Sequence, residues 1–207
     1  MLGNDHPNVG TAESNLALVI ADSGKYSEAE AMFRQALDVR RRALGATNPS
    51  LAITLNNLAY PLREQGKYDE AIAALEEALT LAVPARGENS PTVAHYRTNL
   101  GRVYLARGEA ARAEALFRQA LQVRRKAFGE DDWRVGVTKS LLGAALTSLG
   151  QLDEAEKLLL DAQRVLKNVP GPEGREARAN VVRLKALHDA WARPVGTAKT
   201  RPAVRTP

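Results

Sequence analysis

The fold class this sequence predicts is all-α, a solenoid of stacked antiparallel helix pairs. Three observations point there. The first is a strict period. Gly24–Leu37 (GKYSEAEAMFRQAL) returns as Gly66–Leu79 (GKYDEAIAALEEAL), Gly108–Leu121 (GEAARAEALFRQAL) and Gly150–Gln163 (GQLDEAEKLLLDAQ), so that Gly24, Gly66, Gly108 and Gly150 stand 42 residues apart. Periods of this length mark repeats that bury their apolar faces only against their neighbours. The second is spacing. The positions of Leu16, Ile20, Ala29, Phe33 and Ala36 carry apolar or aromatic residues in every repeat, and steps of three and four place them on one face of each helix. The third is composition. Aromatics are 5% while Ala and Leu dominate, which suits close-packed helices rather than sheets.

Taken in order, residues 1–6 form a short leader, followed by four units at 7–48, 49–90, 91–132 and 133–168. First helices are expected at about 7–23, 49–65, 91–107 and 133–149. Asn48 and Ser90 are good N-caps, each followed by Pro at the first helical position; the fourth unit keeps Asp132 as cap but has Trp133 in place of Pro. Each first helix stops at the recurrent Gly. Second helices are expected at about 27–44, 69–83, 111–128 and 153–168. Ser27 with Glu30 and Asp153 with Glu156 have capping-box spacing, Asp69 caps without the box, and Ala111 is a poor cap that should fray. Pro84 should end its helix a few residues early, and Pro61 should kink the first helix of unit 2 or remove one backbone bond.

Small residues recur at Ala17, Ala59, Gly101 and Gly143, facing Ala29, Ala71, Ala113 and Ala155. They let the two helices of a hairpin approach closely, and a bulky side chain there would force the axes apart. Beyond unit 4, residues 169–192 hold a capping helix, with Val182, Leu184, Leu187 and Trp191 turned toward the array. Residues 193–207 mix Pro, Gly, Thr and basic side chains without apolar period, and are expected to be a disordered basic tail.

Net charge is +5, unevenly placed: Arg164–Pro207 has ten Lys/Arg against three acids, the first 163 residues nineteen against twenty-one. A near-neutral body argues against a phosphate-binding surface along the array, so nucleic acid is not the expected partner. There is no Cys, which excludes disulfides and thiolate metal sites. No apolar run is long enough to span a membrane, and the first ten residues lack signal-peptide features, so the expected localisation is cytoplasmic.

The pattern Leu-(Gly/Ala)-x-x-(Tyr/Leu/Ile)-x-x-x-Gly-x-(Tyr/Leu)-x-x-Ala-x-x-x-(Phe/Leu)-x-x-Ala resembles the tetratricopeptide repeat (TPR). With eight extra residues at Leu44–Leu51 and equivalents, Leu-Asn-Asn-Leu-Ala at 55–59 and Gln-Gly-Lys-Tyr at 65–68, the 42-residue unit looks like the kinesin-light-chain type. The resemblance implies a right-handed superhelix whose concave groove, lined by first helices, holds a peptide or protein segment. Leu187–Pro194 (LHDAWARP) is similar to the broken final repeat of bacterial TPR regions, some of which follow a kinase or NTPase domain.

No catalytic constellation is legible. His6, His95 and His188 lack metal-pair spacing, and no phosphate loop or nucleophile motif is present, so neither enzyme activity nor a cofactor is expected. The candidate site is a stripe along the first helices. Asn15, Asn57 and Asn99 repeat with the period, and a carboxamide can both donate to and accept from a peptide backbone. The competing reading is that these side chains bond across neighbouring helices and only hold the stack. Leu141 breaks the ladder. Tyr60, Arg63, His95 and Arg102 add aromatic and cationic contacts that favour a ligand of acidic character. Two alternatives stay open: a regulatory segment of a larger signalling system, and an anionic-surface or nucleic-acid binder using the basic C-terminus.

Overall fold

The computed structural model describes residues 7–167, 169 and 174–192, with side chains from Glu13 onward. The leader 1–6 and the tail 193–207 lie outside the described residues. The described part is helical throughout: α1 (Pro7–Asp22), α2 (Tyr26–Leu44), α3 (Leu51–Glu64), α4 (Tyr68–Arg86), α5 (Pro91–Arg107), α6 (Ala110–Phe128), α7 (Trp133–Ser148), α8 (Leu152–Leu166) and α9 (Gly174–Ala192). Each first helix packs on its own second helix, and each second helix on the next first helix. First helices α1, α3, α5, α7 and α9 also touch in sequence, whereas α2, α4, α6 and α8 do not approach one another through their backbones. Closer packing on one side bends the stack, so the first helices form the inner, concave layer. The outer helices are joined by long side chains, such as Arg34 to Glu70, Arg41 to Glu77 and Arg118 to Glu154.

The hairpin interface is set by the small residues. Ala17 and Ala59 are fully or almost fully buried. At Gly101 an added Cβ would come within 2.6 Å of the Phe117 ring, and at Gly143 within 2.6 Å of Leu159 Cγ and 3.3 Å of the Ala155 carbonyl. The partners differ from the expectation: Phe117 rather than Ala113 stands nearest Gly101, and Leu159 stands closer to Gly143 than Ala155 does, and these contacts fix the helix separation.

The helix starts differ from the capping expectations. All four second helices begin one residue earlier, at Tyr26, Tyr68, Ala110 and Leu152, and none has a side-chain cap. The preceding turn explains this. Gly24 adopts φ +84 and the Lys25 N–H bonds back to the Ile20 carbonyl at 3.2 Å, a Schellman closure that feeds straight into the next helix. Ser27 thus lies inside the helix and its hydroxyl donates to Gln65; Glu30, instead of closing a box, accepts from Arg34, Gln65 and Lys67 and ties unit 1 to unit 2. Ala111 is no weaker a start than its counterparts, because none of them relies on a cap. Among the first helices, Ser90 accepts from the Val93 N–H and Asp132 from the Arg134 N–H, as expected. Asn48 instead caps a turn through the Ser50 N–H, so α3 starts at Leu51. Pro84 does not end α4, which continues to Arg86; the residue is exposed at the solvent side, where one missing N–H is tolerated.

Burial departs from the period at the two ends. Leu16 is 53% exposed, although its equivalents Leu58, Leu100 and Leu142 are buried, because among the described residues no earlier helix pair packs against α1. At the other end Val182 is 68% exposed instead of facing the array, while Leu184 and Leu187 are buried. The register explains it. Residue 175 is 42 beyond 133, so α9 occupies the place of a fifth first helix. Val182 corresponds to Asn56, Thr98 and Ser140, which a following first helix covers in the other units.

Candidate functional site

The first helices bring six of the seven stripe residues to one cavity of about 470 Å³ on the concave face. Asn57, Tyr60, Arg63, His95, Asn99 and Arg102 line it, together with Asp22 from α1, Trp133 from α7 and Arg175 and Glu176 from α9. A neighbouring cavity of about 460 Å³ continues the groove past Arg124, Phe128 and Arg134. Asn15 is exposed and lies outside both cavities.

The carboxamides bond across the helices through a residue the stripe omits. Asn99 Nδ2 donates to Asn56 Oδ1 at 2.8 Å, and Asn56 Nδ2 donates to Asn57 Oδ1 at 3.1 Å. Asn99 Nδ2 also contacts His95 Nε2 at 3.3 Å. The network holds α3 against α5. Among the described residues, Asn57 Nδ2 and Asn99 Oδ1 keep no such bond, which leaves one donor and one acceptor for a ligand. Tyr60 packs edge-on against Tyr26 at 5.9 Å, and the Arg63 guanidinium lies 5.5 Å from the Tyr60 ring centre while pairing with Glu64. Burial and then the neighbouring Tyr26 push the Tyr60 phenol up, so it stays protonated.

The floor of the groove is cationic. Arg124 bonds only neutral groups among its hydrogen-bond partners, the Arg134 carbonyl at 3.2 Å and Thr138 Oγ1 at 2.7 Å. Burial, reinforced by Arg102 and Arg134 and opposed by Asp132, lowers its pKa to about 10. His95 is exposed, but to the interior of the groove. Desolvation there, with the charges of Arg124 and Arg102, lowers its pKa to about 4, so the ring is neutral at physiological pH. Two guanidinium groups beside a neutral imidazole suit an anionic or hydrogen-bonding ligand.

Several groove residues were not legible as such. Trp133 stands where the other units carry Pro at a helix start, and Arg124 reads as a dipole-complementing cation. Arg183 occupies the ladder position of Asn15, Asn57, Asn99 and Leu141, since it lies 42 residues beyond Leu141; extending the period into α9 finds it. It donates to Ser140 Oγ at 2.7 Å and to Glu176 at 3.4 Å. Among the described residues no group of His, Asp and Glu is placed to hold a metal ion, and no helix is long and apolar enough to cross a membrane.

Comparison with known proteins agrees with this architecture. The tetratricopeptide repeat family matches residues 8–82, 51–126 and 136–173. No curated protein matches significantly. Among solved structures, BtubC (BKLC) from P. vanneervenii is 22% identical, with a TM-score of 0.68 over 97% of this chain and 88% of that one. A putative kinesin light chain of Podosopora anserina with nearly identical TPR-like repeats is 20% identical, with a TM-score of 0.70 over 91% of this chain and 99% of that one. These identities make the likeness one of fold. The family matches cover most of the 207 residues, in units that follow the helix pairs described above, and the chain belongs to the tetratricopeptide repeat family.

Proposed function

We propose that this chain is a non-enzymatic interaction module that holds a peptide or protein segment in its concave groove. The observation that carries the reading is the bond-competent edge left by the Asn57–Asn56–Asn99 network. One carboxamide donor and one acceptor meet a ligand backbone, as a strand edge would, without selecting side chains. The network ties α3 to α5, and in this proposal the same bonds orient Asn57 Nδ2 and Asn99 Oδ1 for a ligand. Arg102 and Arg124 then favour acidic side chains, and Tyr60 and Trp133 supply rigid apolar walls. His95, held neutral, accepts or donates a hydrogen bond without adding charge.

The experiment is affinity capture with quantitative mass spectrometry, comparing wild type, Asn57→Ala with Asn99→Ala, and a chain ending at Ala192. The groove reading predicts that partners recovered by wild type fall at least about tenfold in the double Asn variant, as expected when buried polar contacts to a ligand are removed, and stay at wild-type level in the truncated chain. Capture that survives the Asn changes but disappears with residues 193–207, and that weakens steeply with salt, would transfer the function to the basic C-terminus.

A further inference from the structure

We propose that the first turn of α9 is an intramolecular latch across the groove, with Glu176 occupying the position at Arg102 that an acidic ligand side chain must take. This rests on the groove reading above. In the array each first helix packs only on its own unit and on adjacent units. Two side chains at the start of α9 break that rule. Glu176 Oε1 accepts from Arg102 on α5 at 2.6 Å, and Arg175 reaches Asp22 at the end of α1 at 3.4 Å. Among the described residues, the backbone of α9 packs on neither α5 nor α1. These links are therefore side-chain spans across an open groove, separable without unpacking a helix interface.

The two links differ in kind. Asp22 and Arg175 are each more than half exposed, at 53% and 55%, and an exposed pair of this type contributes little. Glu176 is about 21% exposed and is shared between Arg102 and Arg183. Burial pushes its carboxyl up, but the two guanidinium groups outweigh that and hold it below the usual range, so it is ionised at neutral pH. It carries the same charge as an Asp or Glu side chain of a ligand would, on the same cation. When it leaves, Arg102 loses its carboxylate partner, and Arg183 keeps Ser140 alone among its bonded partners. The groove becomes more basic as it opens. A ligand and the latch thus compete for one site, and whatever binds the open state shifts the equilibrium toward it.

The absence of cysteine makes the test direct, since introduced thiols are unique. Fluorescein-labelled hexaglutamate is the probe, followed by anisotropy. Glu176→Gln is expected to bind it about fivefold more tightly than wild type, within the usual range of coupling between competing sites. An Asp22→Cys, Arg175→Cys protein joined by a disulfide-containing bismaleimide is expected to bind about tenfold more weakly, and to recover when the linker is reduced. Spin labels at Ser23→Cys and Arg178→Cys report the span without any ligand: one narrow distance in the closed state, a longer and broader distribution in Glu176→Lys. The latch is overturned if the linked and reduced forms bind alike, or if Glu176→Lys leaves the distances unchanged. The groove reading fails separately, if Asn57→Ala with Asn99→Ala binds the probe as wild type does. Should hexaglutamate bind no form, the acidic partner class is lost and the spin-label distances alone decide the latch.

Discussion

Replacing Phe117 by Ala is expected to destabilise the protein by about 3–5 kcal/mol, the range for removing a large aromatic side chain from a close-packed site. Phe117 is fully buried at the hairpin interface of the third unit, directly over Gly101. The neighbouring helices are held on both sides by further units and cannot collapse into the space. The opposite error at the same contact, Gly101→Val, is expected to cost about 1–3 kcal/mol by overpacking. By the 42-residue period Ala17 and Phe33 take the places of Gly101 and Phe117 in unit 1, and both are fully buried, so a single methyl is accommodated at the equivalent position. Urea denaturation of both variants checks this. Near-wild-type midpoints would mean that the helix separation is not set by the Gly101–Phe117 contact. Because each unit leans on its neighbours, a lesion in the third should also separate the unfolding of the two halves, seen as a shallower transition.

Lys139→Ala is expected to cost about 2–4 kcal/mol. The side chain is fully buried, and its ammonium donates to Asp161 and Glu130 at 2.5 and 2.6 Å. Breaking a buried ion pair from one side costs about 3–5 kcal/mol in general. The carboxylates here are 36% and 56% exposed and regain water, which lowers the figure, while the lost aliphatic stem adds to it. Lys139→Met keeps the stem and should lose roughly half as much. The pH dependence separates charge from packing. The Lys139 bond holds the Glu130 carboxyl below its usual range, and for Asp161 burial pushes up but Lys139 and Arg164 outweigh it. Groups lowered on folding stabilise above the unfolded carboxylate range, and that stability disappears as pH falls through the lowered values. Wild type should therefore lose stability on acidification below the ordinary carboxylate range more steeply than Lys139→Met. Parallel acid curves would show that the ammonium contributes nothing to stability.

Lys139 also repeats a structural contact of the preceding unit. It is 42 residues beyond Arg97, and Glu130 is 42 beyond Glu88, so the same strut, cation to loop carboxylate, is built in units 3 and 4. The sequence pattern of small and large residues led to the helix pairing and the inner stripe without ambiguity, because sterics at Ala17, Ala59, Gly101 and Gly143 act locally in each hairpin. Edge effects were not legible. Leu16 and Val182 are apolar at positions whose equivalents are buried in the inner units, and both are exposed because no further helix packs on them among the described residues. Caps failed for a different reason: the Gly turn joins two helices so tightly that Ser27 and Asp153 fall inside the helix. The contacts closing the groove, Arg102 to Glu176 and Asp22 to Arg175, join residues 74 and 153 positions apart, and no local spacing rule reaches so far.

In the proposed complex Asn57 and Asn99 meet the ligand. The most direct measurement follows their side-chain carboxamide resonances by 15N NMR while a captured partner segment is titrated in. Both pairs of NH2 signals are expected to shift and saturate together with the Trp133 indole, while Gln35 and Gln119 on the outer helices stay in place. Saturable shifts on the outer helices, with Asn57 and Asn99 unmoved, would contradict it.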